Sequence, residues 1–453
     1  MLNRRGQVVG AVLFAGVCMV ADSAAGQVII EDLKIIPSDG IAGQWFGSAV
    51  DADGGLLVVG GPYDDDRGFQ SGSAYVFDAA TGTRVAKLLP VGDASRIRLG
   101  RSVAIDAGVV AISGFSTQFG GPGIAYLFDA VTGTLRSQLI PSDGWHGKGY
   151  GHAIAIDDHV VAVGAPYAQD SWGIEVGAVY LFDAVSGAEL FRLNPANGAY
   201  QDQFGWSVAV GSGVIAVGSR LRDDRGDGSG SVYLFDRATG EQVAQVFAPD
   251  GAAGDEFGYS VAIGEGVLVV GARKDDDTGA DSGSIYLFEI SSGELIGKLV
   301  AKDGAPGDQL GWSVAIDSGI IAAGAPRYNS GSGIASAYLF RQTTGEQIAK
   351  AIPSNGAAAE WFGLSIGIDS GTVVIGAPLN YENGTVVGAA FVYEVNGIIC
   401  RADLNTDGML DTRDFLLYLN YWTVQDPISD WNADNTINTQ DFIAYLNDWS
   451  AGC

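Results

Sequence analysis

Short apolar runs broken by Gly-rich turns dominate the chain from about residue 28 to residue 397. Over residues 206–249 they read "WSVAV", "GVIAVGS", "GSVYLFD" and "EQVAQVFAP". Val, Ile, Tyr and Phe fill the runs, and turns such as "GSG" and "RATG" separate them, which predicts four short antiparallel strands joined as a meander. The phrase recurs. An aromatic or Leu followed by Gly opens each copy, at Phe46-Gly47, Leu99-Gly100, Tyr150-Gly151, Phe204-Gly205, Phe257-Gly258, Leu310-Gly311 and Phe362-Gly363. The glycine-to-glycine steps are 53, 51, 54, 53, 53 and 52 residues. Four strands at this period predict a β-propeller blade, and seven copies predict a closed ring. The seventh copy stops after its third strand, "AAFVYEV", whereas "QVIIEDLKIIPSDG" near the start matches the fourth strand of other copies, such as "GKLVAKDG". The first strand is therefore expected to complete the last blade and hide two sheet edges. The fold class is mainly β: a seven-bladed propeller of four-stranded blades of about 53 residues, followed by a small α-helical C-terminal domain.

The first strand with "FGxS" and the second ending in "GAP", at Gly164-Ala165-Pro166, Gly324-Ala325-Pro326 and Gly376-Ala377-Pro378, resemble the FG-GAP repeats of the integrin α-subunit propeller. In physical terms the aromatic would pack between blades, Gly would let backbones approach, and Pro would end the ladder. Integrin-type blades often carry a DxDxDG calcium loop between the first two strands. That connection is here "DAG", "DDH", "GSG", "GEG" or "DSG", and only "DADGG" at Asp51 comes close, so blade calcium sites are not carried over. The aspartates sit instead between the second and third strands, at Asp64-Asp65-Asp66, Asp223-Asp224 and Asp275-Asp276-Asp277. They read as turn formers on a solvated loop, with a cation or ligand site as the alternative. These loops share a face with the connections into each new blade, and an unknown glycan or protein is expected to bind on this longer-loop face. Tyr63, Tyr167, Trp172 and Tyr328 lie there, with Trp45 and Trp361 at the loop-to-strand junction, available for sugar stacking or for packing.

After residue 397 the pattern changes. "DLNTDGMLDTRD" places Asp403, Asn405, Asp407, Asp411 and Asp414 at loop positions 1, 3, 5, 9 and 12, with Gly408 at the sharp turn and the carbonyl of Met409 at position 7. "DWNADNTINTQD" repeats the spacing with Asp430, Asn432, Asp434, Asn438 and Asp441, the carbonyl of Thr436, and Asn435 in place of Gly. Oxygen donors so spaced fit a hard cation, and two Ca2+ ions are expected. The segments "FLLYLNYW" and "FIAYLNDW" read as paired short helices. A loop-to-helix unit repeated after 27 residues, with Asp at position 12, resembles a type I dockerin, and the terminal "AGC" with Cys400 resembles the GC-type dockerin of exported bacterial proteins. That resemblance implies partner selection by positions 10 and 11, here Thr412-Arg413 and Thr439-Gln440, and a cohesin-like or other cell-surface anchoring partner.

Composition narrows the class further. The formal charge of −28, from 53 acidic against 25 basic residues, argues against nucleic acid or an anionic membrane as partner. Arg4 and Arg5, an uncharged stretch from Val8 to Val20, and "ADSAAGQ" describe a secretory signal over residues 1–26, too short to span a bilayer comfortably. No later segment approaches transmembrane length, so the expected location is extracellular or at the cell surface. Cys18 lies within the signal. Cys400 and Cys453 remain and can pair in only one way, which would stabilise the last domain by roughly 3–5 kcal/mol. The predicted domains are thus 1–26, 27–397 and 398–453.

Chemistry is sparse. The histidines are His146, His152 and His159, all around the third blade, and no nucleophile, metal triad or catalytic carboxylate pair separates itself from the repeats. Asn383-Gly384-Thr385 spells a glycosylation sequon. The leading functional reading is a secreted, noncatalytic propeller presenting a binding or adhesion surface, tethered by a calcium-dependent tail. A polysaccharide-degrading enzyme or lectin carried by a dockerin, and a structural envelope protein, are the alternatives.

Overall fold

A computed structural model describes residues 27–39, 42–92, 94–116, 123–144, 148–327, 334–356, 359–395, 404, 412–425, 429, 431 and 436–451. The predicted signal, Cys18, Cys400, Cys453, His146, Tyr328 and most of the two acidic loops of the tail lie outside these residues. The chain divides into two compact units between Tyr393 and Glu394.

The first unit is a seven-bladed propeller. Blade four shows the plan: Phe204–Gly211, Val214–Ser219, Ser231–Asp236 and Gln242–Val246 pair in that order, each antiparallel to the next. The inner strands of successive blades touch all the way round, and Ser365–Asp369 of blade seven meets Val50–Asp53 of blade one. The beginning of the chain supplies two strands where the sequence predicts one. β2 (Leu33–Ile35) pairs antiparallel with Ala389–Glu394 as the outer strand of blade seven. β1 (Gln27–Ile29) runs parallel to Gln347–Ala351 and adds a fifth strand to blade six. Glu31, between them, accepts hydrogen bonds from the amide and hydroxyl of Ser354.

Each letter of the repeat has a physical task. The opening aromatic is buried where two blades meet: Phe46 packs edge-on against Tyr75 and Phe77 in a cluster that also takes Val374, Ala390 and Val392 from blade seven. The following glycine, always left-handed, lies against the preceding blade. A Cβ on Gly47 would stand 2.3 Å from the Ala389 carbonyl oxygen. The serine then reaches forward, as Ser207, Ser260, Ser313 and Ser365 donate to the carbonyls of Gly258, Gly311, Gly363 and Gly47, the last joining blade seven to blade one. Pro is dispensable as a stop, since the second strands of blades four and five end at Ser219 and Ala272 with Arg220 and Arg273 following.

The second unit contains α1 (Thr412–Thr423) and α2 (Thr439–Ala451), at the two segments predicted to be helical. The helices meet through equivalent residues 27 apart. Tyr418 and Tyr445 stack face to face at 3.9 Å, Trp431 stands edge-on to both, and Phe415 lies 6.4 Å from Phe442. No helix among the described residues is long and apolar enough to cross a membrane.

Candidate functional site

The acidic loops between second and third strands are tied down by basic side chains and turn amides. Asp64 is fully buried and accepts hydrogen bonds from Ser73, Tyr75 and the amide of Asp66, while Lys87 Nζ stands 2.8 Å from both Asp64 and Asp66. In blade five Lys298 Nζ lies between Asp250, Asp275 and Asp277 at 2.8, 3.0 and 2.6 Å. Asp65, Asp223 and Asp276 accept turn amides from Gln70, Gly228 and Asp281, the turn-forming role predicted for them. Asp224 accepts from Ser231 and pairs with Arg222. In blades one and five a lysine thus occupies the place between the carboxylates that a cation would take. Burial alone would lower the lysine pKa, but hydrogen bonds to the aspartates outweigh it and raise Lys87 and Lys298. The sequence carries a signal for this arrangement: a Tyr in the third strand is followed twelve residues later by a basic residue at Tyr75/Lys87, Tyr180/Arg192, Tyr286/Lys298 and Tyr338/Lys350, each pair directly cross-strand.

The tight-turn end carries a second set of carboxylates. Asp53, Asp106, Asp157, Asp317 and Asp369 close the inner strands of five blades. Asp53 accepts the amide of Ala107 and Asp317 that of Ser370, each from the next blade. Asp51, one turn of the pleat inward, accepts the amide of Ile105 and faces Gly367, whose Cβ would stand 2.8 Å from its Cα. Burial pushes Asp51 up to about 7 against these hydrogen bonds, with Asp53 and Asp369 adding to the rise. No group of three or more His, Cys, Asp or Glu among the described residues is arranged to hold a metal.

The longer-loop end is different in kind. The residue after each opening glycine is Ser48, Arg101, His152, Trp206, Tyr259, Trp312 or Leu364, and the four from blades three to six form a continuous row of rings. His152 lies 4.2 Å from Trp206, Trp206 lies 5.7 Å from Tyr259, and Tyr259 lies 5.0 Å from Trp312. Arg220 and Arg273, at the Pro position of GAP, insert guanidinium groups among the rings. Arg220 sits 3.8 Å above Trp206, and Arg273 sits 4.1 and 4.5 Å from Tyr259 and Trp312. Glu256 Oε2 pairs with both at 3.0 and 2.8 Å, and its Oε1 with Lys274 at 2.7 Å. Burial would raise the Glu256 carboxyl, yet Arg273, Lys274 and Arg220 hold it below its ordinary value. Burial, reinforced by Arg101, takes His152 down to about 3, so the ring is neutral at pH 7.

In six of the seven blades the residue before the opening aromatic or Leu is a non-glycine in left-handed geometry: Trp45, Arg98, Gln203, Glu256, Gln309 and Trp361 have φ between 56° and 60°, and blade three has Gly149 there. Holding non-Gly residues there costs on the order of 1 kcal/mol each. Trp45 packs 4.6 Å from Tyr63 and 5.5 Å from Trp361, and Arg98 covers Tyr63 at 4.8 Å, so these predicted aromatics are brought together as one cluster. Trp172 stands apart, 85 % exposed on a loop of blade three. Arg101, Arg220, Arg273 and Glu256 were invisible in the strand pattern; reading down the columns beside FG and GAP finds them. His159 lies in a hairpin turn, and Asn383-Gly384 form the two left-handed centres of a turn between Leu379–Glu382 and Thr385–Val386.

Of the predicted calcium ligands, the described ones are Asp414, Thr436, Asn438 and Asp441. Asp414 and Asp441 are fully buried in the first turns of α1 and α2. The amide of Asn438 donates to Asp441, and the side-chain amide of Asn438 donates to the Thr436 carbonyl. Buried carboxylates at loop position 12 fit a hard cation, and they also suit the positive end of a helix.

The FG-GAP repeat family matches residues 30–77, 134–182, 189–235, 241–288, 294–340 and 346–393. The unmatched stretch 78–133 holds the fourth strand of blade one and the first three strands of blade two, where Leu99 stands for the aromatic and Ser113-Gly114-Phe115 for Gly-Ala-Pro. No curated protein matches the chain.

Proposed function

Because this chain belongs to the FG-GAP repeat family, we propose that it is a secreted, noncatalytic propeller whose longer-loop face presents a binding or adhesion surface. In this reading a dockerin-like tail tethers it through two Ca2+ ions to a cohesin-like or other cell-surface partner. The observation that carries the first part is the contrast within each blade. Strand interiors repeat nearly unchanged, whereas the columns around the channel mouth hold Arg, Trp, Tyr, His, Gln and Glu, with Trp45, Arg98, Gln203, Glu256, Gln309 and Trp361 on left-handed backbone. The tail reading is supported by the buried position-12 aspartates and by the 27-residue duplication of the aromatic core. Asp403, Asn405, Asp407, the Met409 carbonyl, Asp411 and Asp414 would hold one ion. Asp430, Asn432, Asp434, the Thr436 carbonyl, Asn438 and Asp441 would hold the other. Thr412, Arg413, Thr439 and Gln440 would face the partner, and a Cys400–Cys453 bridge would close the domain.

The test is retention of envelope proteins and polysaccharides by the full chain and by a chain ending at residue 397, with calcium and with chelator. A calcium-dependent partner lost on truncation, beside a second partner that survives it, is the expected pattern. Retention of nothing by the propeller would refute the binding-surface reading. Calorimetry on the full chain checks the tail separately: Asp414→Asn and Asp441→Asn should each weaken one of two calcium sites by tenfold or more.

A further inference from the structure

We propose that the mouth of the axial channel binds a sugar acid, a ring bearing one carboxylate and several hydroxyls, presented end-on. This rests on the reading of the longer-loop face as the binding face and names what that face takes.

Charge comes first. A single carboxylate, Glu256, stands against Arg220, Arg273 and Lys274, and Arg101 makes no ion pair among the described residues. The mouth is therefore net positive on a chain of formal charge −28. Arg101 stacks 4.8 Å from Phe115, whose ring lies 5.5 Å from that of His152. The guanidinium therefore borders the row of rings that begins at His152, at the mouth where a ligand would enter. Its flat fork suits a carboxylate.

Hydrogen-bond inventory then separates a sugar acid from a simple acid. Arg220 Nε is buried and donates to no acceptor in the protein, while Gln203 Oε1 and Gln309 Oε1 are buried acceptors that receive no hydrogen bond from it. Gln203 and Gln309 hold, in blades four and six, the position that Glu256 holds in blade five. Buried polar atoms of both kinds call for a ligand that both accepts and donates. A carboxylate only accepts; hydroxyls on the same ring supply the donors. Long polyanions are repelled by the overall charge, so one terminal uronate fits better than a charged polymer lying across the face.

The test uses the full chain in calorimetric titrations with D-glucuronate, D-glucose and N-acetyl-L-aspartate at constant ionic strength, repeated for Arg101→Met and Arg101→Lys. Glucuronate should bind at one site per chain, at least tenfold more tightly than glucose or N-acetyl-aspartate, and more weakly when the titration is repeated at a higher fixed ionic strength. Arg101→Met should lose tenfold or more, and Arg101→Lys less. Absence of saturable glucuronate binding, equal binding of glucose, or unchanged binding by a folded Arg101→Met chain overturns the proposal. Equal binding of N-acetyl-aspartate overturns the sugar assignment in favour of an acidic peptide. If Arg101→Met does not fold, the glucose comparison and Arg101→Lys decide. A chain that retains its envelope partner while failing these titrations keeps the binding-face reading and loses only this one.

Discussion

Lys298 and Lys350 occupy the same column of the repeat, yet their removal should differ sharply. Lys298 neutralises Asp275, whose side chain is almost wholly shielded, whereas Lys350 pairs with the accessible Asp303. Lys298→Met strands a buried carboxylate and should cost about 3–5 kcal/mol, and Lys350→Met should cost about 1 kcal/mol or less, both read from urea unfolding. Asp51 gives a pH-dependent counterpart. The folded chain holds its proton to about pH 7, while the unfolded chain releases it near 3.8, so its contribution to stability falls as pH rises between those values. Asp51→Asn should match the parent at pH 4 and exceed it by roughly 1–3 kcal/mol at pH 8. His152 acts in the opposite sense: its folded pKa is depressed, so acidification from about 6.5 toward 3 removes stability. The acidic triplets were legible as turn formers from their Asp and Gly content. Their lysine partners were not, because Lys87 is brought to Asp64 by strand pairing across 23 residues rather than by neighbourhood in the chain.

At the scale of elements, the joints between blades should be more sensitive than their outer turns. Gly47 and Gly54 are both left-handed, but a Cβ on Gly54 meets nothing, whereas one on Gly47 collides with the backbone of blade seven. Gly54→Ala should cost about 1 kcal/mol and Gly47→Ala about 3 kcal/mol or more, by thermal unfolding. The strand number and period could be read directly, since alternation and Gly-rich turns are local properties. The two helices were legible for the same reason. The split of the opening segment into β1 and β2 was not, because "QVII" and "LKII" are equally apolar and only the Asp32 bend separates them. The cluster at the mouth was hidden for another reason: its members share no motif, and symmetry of the ring alone makes neighbours of residues about 53 apart.

Across the propeller, carboxylates close the inner strands at the tight-turn end, whereas rings and guanidinium groups cluster where those strands begin, so the two ends of the ring differ in chemistry. The closing strand sets a different property. β1 waits for its partner at residues 347–351, and β2, at residues 33–35, for its partner at 389–394, so neither opening strand has a mate until most of the ring has been made. During synthesis or translocation, an apolar β-edge stays exposed for the passage of about 350 residues. At 5–20 residues per second that is on the order of tens of seconds. Ring closure is then the last event and one of high contact order, which makes it slow. A chain interrupted anywhere before Ala389 would be left with two open edges that can pair with another copy. Quality control of this protein therefore turns on its final strand, and a helper that shields strand edges would be needed longest by the residues made first.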